Sequence, residues 1–332
     1  MDMGSSLLDL KLVMPDEAQD RVSQSGEAYE LLIIGGGPAG MTAAVYSARK
    51  QIRTLLVSKD LGGQLLWTSD IENYMGYQYI TGRELTDKFR SQMEQFPIVD
   101  IIVGDSAEKL AREDDQFVAM TASDRKYIGR TAIIASGKRS RPLNVPGERE
   151  LVGRGVSYCA TCDAPLFKGK DVAVIGGGNS GLTAVIDLMG IASNIYVVNI
   201  SPAWQADPIL VEKTKDAENV IPLLSHRVIS IRGENVVTGI TVESLETQES
   251  KELPVQGVFI EIGLLPNSEF VSDLVQLNGW GEIIVDCACR TNVPGVFGAG
   301  DVTSVPAKQI SVAIGEGSKA ALSAYEYLLT HT

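Results

Sequence analysis

Three short stretches of this chain have residue types and spacings that can do chemistry. Cys159-Ala160-Thr161-Cys162-Asp163 sets two thiols at C-x-x-C spacing with an acid directly behind them. At that spacing one thiol can attack a partner disulfide and the other can resolve the mixed disulfide that forms. Asp163 stands where it can exchange protons with the thiolates, or else serve as a turn or helix-cap residue. The other two stretches are glycine fingerprints of one type, Gly35-Gly36-Gly37-Pro38-Ala39-Gly40 and Gly176-Gly177-Gly178-Asn179-Ser180-Gly181. In the first, Gly35 permits a tight turn, Gly37 lets the backbone approach a pyrophosphate, and Gly40 allows close helix–strand packing. Two dinucleotide-sized sites around a dithiol describe a device that passes an electron pair from a bound cofactor to a disulfide.

These motifs need particular elements to position them. Tyr29–Ile34 is a short buried-type strand feeding the first fingerprint, Ala39–Lys50 reads as a helix, and Arg53–Val57 as the next parallel strand. This is the strand–turn–helix–strand context of a Rossmann unit. Gly82–Phe96 has helical periodicity, short apolar stretches from Ile98 to Ile128 predict a small antiparallel layer, and Thr131–Gly137 closes this half as a buried strand. The pattern restarts with the strand Lys170–Ile175, a helix through Met189 and the strand Asn194–Val198, then further short strands at Val228–Val242 and Gly257–Gly263. Gly295–Asp301 has no partner in the second half and is assigned back to the first. The expected fold is α/β, with two Rossmann-like three-layer domains, the second inserted into a discontinuous first. Expected boundaries are a polar extension over 1–28, a nucleotide-binding domain over 29–144 and 268–332, and the insert carrying the C-x-x-C over 145–267.

Composition narrows the classes. At 332 residues with 44% hydrophobic and 21% charged residues, the chain is long enough for two cored domains. A net charge of −13 argues against nucleic acid and anionic membrane surfaces as partners. No apolar run reaches membrane-spanning length. The first 27 residues are too acidic for an export signal, so a cytoplasmic location is expected. The four cysteines form two close pairs, Cys159/Cys162 and Cys287/Cys289, too few for a disulfide scaffold. His226 and His331 are far from both pairs in sequence, so no structural metal is expected. Cys287 and Cys289 read as packing residues, with a redox relay as the alternative.

Together, Gly35–Gly40, Gly62-Gly63-Gln64-Leu65, Ile71-Glu72-Asn73-Tyr74, Cys159–Asp163, Ile262–Asn267, Gly300-Asp301-Val302 and Gln309-Ile310 resemble the low-molecular-weight thioredoxin reductases, from about Tyr29 to the C-terminus. The resemblance implies FAD in the first domain, thioredoxin as the protein substrate and a homodimer. It implies a flavin site formed by Gly35, Gly37, Pro38, Ala39, Gly40, Gly63, Gln64, Leu65, Asn73, Gly137, Gly300, Asp301, Gln309 and Ile310. Within that site Asp301 lies on the ribityl chain, and Gln309 and Ile310 lie beside the isoalloxazine ring. It also implies that Cys162 faces the flavin and Cys159 engages the substrate, with rotation of the insert, hinged near Pro146 and Pro266, to expose the dithiol. Met75 stands where the family has proline.

The insert departs further. The family grips the 2′-phosphate of NADPH with His-Arg-Arg after the second strand and an Arg beyond; here Asn199-Ile200-Ser201 and Gln205 occupy those positions. Gly181 replaces the family's alanine. The chain therefore resembles the pyridine-nucleotide-independent branch, in which ferredoxin reduces the flavin. Lys138, Arg139, Arg141, Arg49, Lys50 and Arg53 are candidate docking residues for it. Three alternatives stay open: an NADPH-dependent reductase with an atypical coenzyme pocket, a second flavin in the insert, or a flavin-binding sensor or scaffold without turnover.

Overall fold

The computed structural model describes residues 28–68 and 70–331, with the backbone alone described at Trp67, Asp70, Thr161 and Cys162. The expected N-terminal extension lies outside the described residues, apart from Ala28. The chain forms two compact units, one of residues up to Leu66 with Asp70–Arg139 and Leu265 onward, the other chiefly Ser140–Leu264.

The first unit begins with β1 (Tyr29–Gly36), α1 (Pro38–Arg49) and β2 (Thr54–Leu61). There follow β3 (Asp70–Ile71), β4 (Ile80–Thr81), α2 (Gly82–Met93), β5 (Val99–Val103), β6 (Ala107–Glu113), β7 (Gln116–Thr121) and β8 (Lys126–Ile134). Pro38 starts α1 where its missing N–H costs nothing. Thr81 and Glu84 cap α2 reciprocally, each side chain taking the other's backbone N–H. The main sheet runs β5-β2-β1-β8-β7-β6. Its β5, β2, β1 and β8 are parallel, while β6 and β7 are antiparallel additions. Alternation along β1 sends Leu31 and Ile33 into one core and Leu32 and Ile34 into another, one on each face.

The chain leaves the first unit between Arg139 and Ser140 and returns between Leu264 and Leu265. The crossings run side by side as β9 (Lys138–Ser140) and, on the return, Leu264–Pro266. Pro146 lies past the outward crossing, inside the second unit, where its carbonyl accepts from the Ile231 N–H at 2.9 Å. Of the two expected hinge prolines, only Pro266 is at a crossing.

The second unit holds β10 (Val156–Ser157), α3 (Ala160–Asp163), β11 (Asp171–Ile175), α4 (Asn179–Met189), β12 (Asn194–Val198), α5 (Pro208–Thr214) and β13 (Val220–Leu223). It continues with β14 (His226–Arg232), β15 (Gly239–Ser244), β16 (Ser250–Leu253) and β17 (Gly257–Ile260). A parallel sheet, β10-β17-β11-β12-β13, packs between two cores, and β14-β15-β16 form an antiparallel layer on one side. The returning strand is β18 (Leu264–Pro266); β19 (Val296–Gly298) and α6 (Ile310–Thr330) complete the first unit. As expected for the Gly295–Asp301 stretch, β19 pairs parallel with β8. Among the described residues no helix is long and apolar enough to cross a membrane.

Candidate active site

The first fingerprint turns as its glycines require. Gly35 has φ +113°, and a Cβ there would lie 2.3 Å from the Ala135 carbonyl oxygen. A Cβ on Gly40 would lie 1.8 Å from the Gly35 carbonyl oxygen, so α1 packs directly on the turn. Ser58, within β2, accepts from the Gly36 N–H at 2.7 Å. Above Gly37 the space is open, with no atom within 4 Å of a Cβ position, and the same holds at Gly137. The Gly63 loop passes close by, its Cβ position 3.5 Å from the Gly37 Cα.

Residues far apart in sequence meet beside this turn. Gln64 Nε2 donates to Asp301 Oδ2 at 2.9 Å, and Asn73 Nδ2 donates to Gln309 Oε1 at 3.1 Å. Gly300, at φ +77°, brings its Cβ position to 3.0 Å from the Ala39 Cβ. Leu65 is buried in a small cluster with Ile71, Ile80 and Leu85, against which Ile310 packs. Asp301 does not cap a helix: it sits in a turn, and α6 starts at Ile310 with Gln309 at the cap position. Met75 is 93% exposed in a turn closed by the Tyr77 N–H on the Tyr74 carbonyl.

Sequence reasoning missed Glu316 and Gly317. Glu316 is buried in α6, and its Oε2 accepts from the Gly300 N–H at 2.7 Å and from Thr303 Oγ1 at 3.3 Å. Its Oε1 is buried with no hydrogen-bond partner among the described residues. Burial raises its carboxyl pKa above the ordinary range, against the pull of the Gly300 N–H. A Cβ on Gly317 would lie 2.1 Å from the Ala39 carbonyl oxygen, so α6 touches the start of α1 backbone to backbone. An acid flanked by two glycines, Gly315-Glu316-Gly317, inside a helical stretch was the available signal. Open space over the turn, the Asp301–Gln64 pair and the orphaned carboxyl oxygen together fit a polar dinucleotide cofactor lying along Gly35–Gly40 and Gly300–Asp301.

In the second unit Cys159 is half-buried and disulfide-bonded. Ser157 Oγ accepts from the Cys159 N–H at 3.0 Å and donates to its carbonyl at 3.2 Å. The Asp163 N–H closes α3 on the same carbonyl at 3.2 Å, and the Asp163 side chain is half-buried. Upstream, the buried carboxylate of Glu148 accepts from the Leu143 and Asn144 N–H groups at 2.7 and 2.5 Å and from the Tyr158 hydroxyl at 2.6 Å. Burial and this carboxylate raise the Tyr158 hydroxyl pKa, so it remains a donor. The residue before Cys159 is thereby anchored.

The second fingerprint has the same sterics as the first. Gly176 has φ +127°, its Cβ position 2.2 Å from the Glu261 carbonyl oxygen, and that of Gly181 is 2.0 Å from the Gly176 carbonyl oxygen. Gly181 is thus a tight contact on the turn. Asn199, at the end of β12, is buried and spends its amide on its own loop, donating to the Ser201 and Ala203 carbonyls at 3.3 and 2.9 Å. The Gln205 N–H closes that loop on the Gly177 carbonyl at 2.8 Å, and Ile200 is exposed on it.

The candidate docking cations are partly engaged within the fold. Lys138 pairs with Glu282 at 2.9 Å, both side chains largely covered, and Arg139 pairs with Glu269 at 2.5 Å. Lys50 and Arg53 lie over the Tyr325 and Tyr29 rings. Cys287 and Cys289 are free thiols, one exposed and one buried. Burial pushes the Cys289 thiol up to about 11, away from the thiolate a relay would need.

Residues 29–317 match the family described as pyridine nucleotide-disulphide oxidoreductase. The chain belongs to that family. Its cofactor is accordingly FAD, the group that the open turn and its polar rim fit. The F component of alkyl hydroperoxide reductase from Escherichia coli strain K12 is 44% identical over 307 residues, covering 91% of this chain and 59% of that protein. The chain therefore spans about three fifths of that relative's length. Lactococcus lactis thioredoxin reductase in its FR conformation superposes with a TM-score of 0.81 at 36% identity, covering 91% of this chain and 99% of the other. Thioredoxin reductase from T. acidophilum gives 0.78 at 37% identity, covering 90% and 98%. The chain is a flavoprotein disulfide oxidoreductase related to these reductases.

Proposed function

We propose that this protein reduces the disulfide of a thioredoxin-type partner through Cys159 and Cys162. The observation that carries this reading is a disulfide-bonded Cys159 in a C-x-x-C-D loop, in a chain whose other unit is built to hold FAD. Gly35, Gly37, Pro38, Ala39 and Gly40 with the start of α1 would hold the pyrophosphate. Gly63, Gln64, Leu65, Asn73, Gly137, Gly300, Asp301, Gln309 and Ile310 would line the rest. Bound FAD supplies a centre that accepts electrons singly or in pairs and delivers a pair to a disulfide. Once the dithiol is reduced, the Cys159 thiolate attacks one sulfur of the partner disulfide, forming a mixed disulfide and releasing the partner's other sulfur as thiolate. Cys162 then attacks Cys159, closing the intramolecular disulfide and freeing the partner as a dithiol. Asp163 passes the proton. The partner, a homodimeric state and a cytoplasmic site of action are part of this proposal.

If Asp301 holds the cofactor, Asp301→Ala weakens flavin retention by about ten- to a hundred-fold, the range for a lost charged hydrogen bond. Titrating stripped protein with FAD by fluorescence quenching checks this; unchanged affinity removes Asp301 from the site.

For the electron source, the loss of every cation from Asn199 to Gln205 supports a donor other than NADPH, and we propose a ferredoxin. A second reading, reduction by a nicotinamide coenzyme, is favoured by the Gly176–Gly181 turn, which is as tight as its counterpart in the first unit. Anaerobic mixing of the oxidised holoprotein with NADPH, NADH or reduced ferredoxin separates the two. Bleaching of flavin absorbance by ferredoxin alone is expected; prompt bleaching by either coenzyme establishes the second reading.

A further inference from the structure

We propose that Glu261 is a positioning residue for the dithiol: its carboxyl, seated on the backbone N–H that follows Cys159, takes up a proton when the disulfide is reduced and sets the pH dependence of that reduction. The proposal rests on the dithiol reading above.

Strand register brings the two residues together. β10 and β17 pair in parallel with Val156 opposite Val258 and Ser157 opposite Phe259. Two residues beyond this last pair, just past the strand ends, stand Cys159 and Glu261. The Glu261 backbone is fixed, its N–H donating to the Ile175 carbonyl at 2.8 Å and its own carbonyl packed on Gly176. Its side-chain carboxylate accepts from the Ala160 N–H, the first backbone donor after Cys159. The charged group acting on it from α4 is Asp187, and Asp163 lies on the same short helix as Ala160.

Glu261 is an acid in a stretch, Val258-Phe259-Ile260-Glu261-Ile262, that is otherwise apolar. Burial, opposed by the Ala160 N–H and reinforced by Asp187, pushes its carboxyl up to about 7. It therefore titrates where the reductase would work. Reduction breaks the S–S bond and places an electron pair, from the flavin or an added dithiol, on the two sulfurs. One sulfur takes a proton and the other remains a thiolate. That new negative charge beside Ala160 raises the proton affinity of Glu261, which takes a proton from solvent. By reciprocity an ionised Glu261 opposes thiolate formation. Above pH 7 the native disulfide is then harder to reduce than one flanked by a neutral side chain.

Glu261→Gln keeps the acceptor for the Ala160 N–H and removes the titration. The FAD-loaded native and variant proteins are equilibrated anaerobically with dithiothreitol buffers from pH 5.5 to 8.5, and reduced Cys159 is counted by alkylation and mass spectrometry. The expected curves coincide at pH 5.5 and diverge above pH 7, the variant reaching a reduced-to-oxidised ratio about tenfold higher by pH 8.5, as for groups coupled by one pK unit. Curves that stay parallel at every pH overturn the role of Glu261 alone. A disulfide that dithiothreitol reduces in neither protein overturns the dithiol reading beneath it. Should the variant not fold, carboxyl-labelled glutamate is followed by NMR in the native protein. A resonance titrating near 7 must then move up by about half a unit or more on reduction; no movement overturns the proposal.

Discussion

Cys159→Ser is expected to lower turnover with a thioredoxin-type disulfide by on the order of a thousand-fold or more, because a serine hydroxyl is neither ionised near neutrality nor able to exchange with a disulfide. The flavin should stay bound, since every residue assigned to it lies in the other unit. Cys162→Ser should also abolish turnover but by a different route: Cys159 can still attack, so a mixed disulfide with the partner accumulates. Non-reducing electrophoresis with oxidised thioredoxin separates the two variants. A covalent adduct with Cys159→Ser and none with Cys162→Ser would reverse the roles of the two thiols. Near-native turnover in either would end the dithiol reading.

The second large effect is on stability. Glycine inside a helix ordinarily costs about 1 kcal/mol relative to alanine, so Gly→Ala in α6 should stabilise unless packing forbids it. Gly315 and Gly317 test both cases within one turn. Around Gly315 nothing lies within 4 Å of a Cβ position, and Gly315→Ala should gain about 1 kcal/mol. At Gly317 the new methyl would meet the Ala39 carbonyl oxygen at 2.1 Å and its carbon at 2.9 Å, backbone that cannot rotate aside. Separating α6 from α1 to relieve it should cost about 3 kcal/mol, at the upper end of overpacking penalties. In a unit of this size that lowers the melting temperature by about 2–4 °C per kcal/mol. Because Ala39 opens the helix of the first fingerprint, the variant should release flavin before it unfolds. Calorimetry with flavin fluorescence on the two variants measures both effects; a Gly317→Ala protein as stable as the native one would show that the helix contact yields.

Much of this site could be read from residue order alone. Local spacing determined the C-x-x-C-D loop, the two glycine turns, the strands feeding them and the loss of cations from Asn199 to Gln205, because each is a property of a few adjacent residues. Even the return of Gly295–Asp301 to the first sheet was legible, since its buried run lacked a partner nearby. Other features were not. The Gln64–Asp301 and Asn73–Gln309 bonds join residues separated by more than two hundred positions, and only the folded sheet order brings them within reach. Lys138 and Arg139 looked like free surface cations, yet folding sets Glu282 and Glu269 against them. Glu316 and Glu261 carried no motif at all. What tertiary structure decided for them was burial, which raises a carboxyl's pKa, and the backbone N–H each accepts, which partly offsets that rise. Sequence determines which groups are available within a turn or a strand, while desolvation and long-range register, which decide what those groups can do, exist only once the chain has closed on itself.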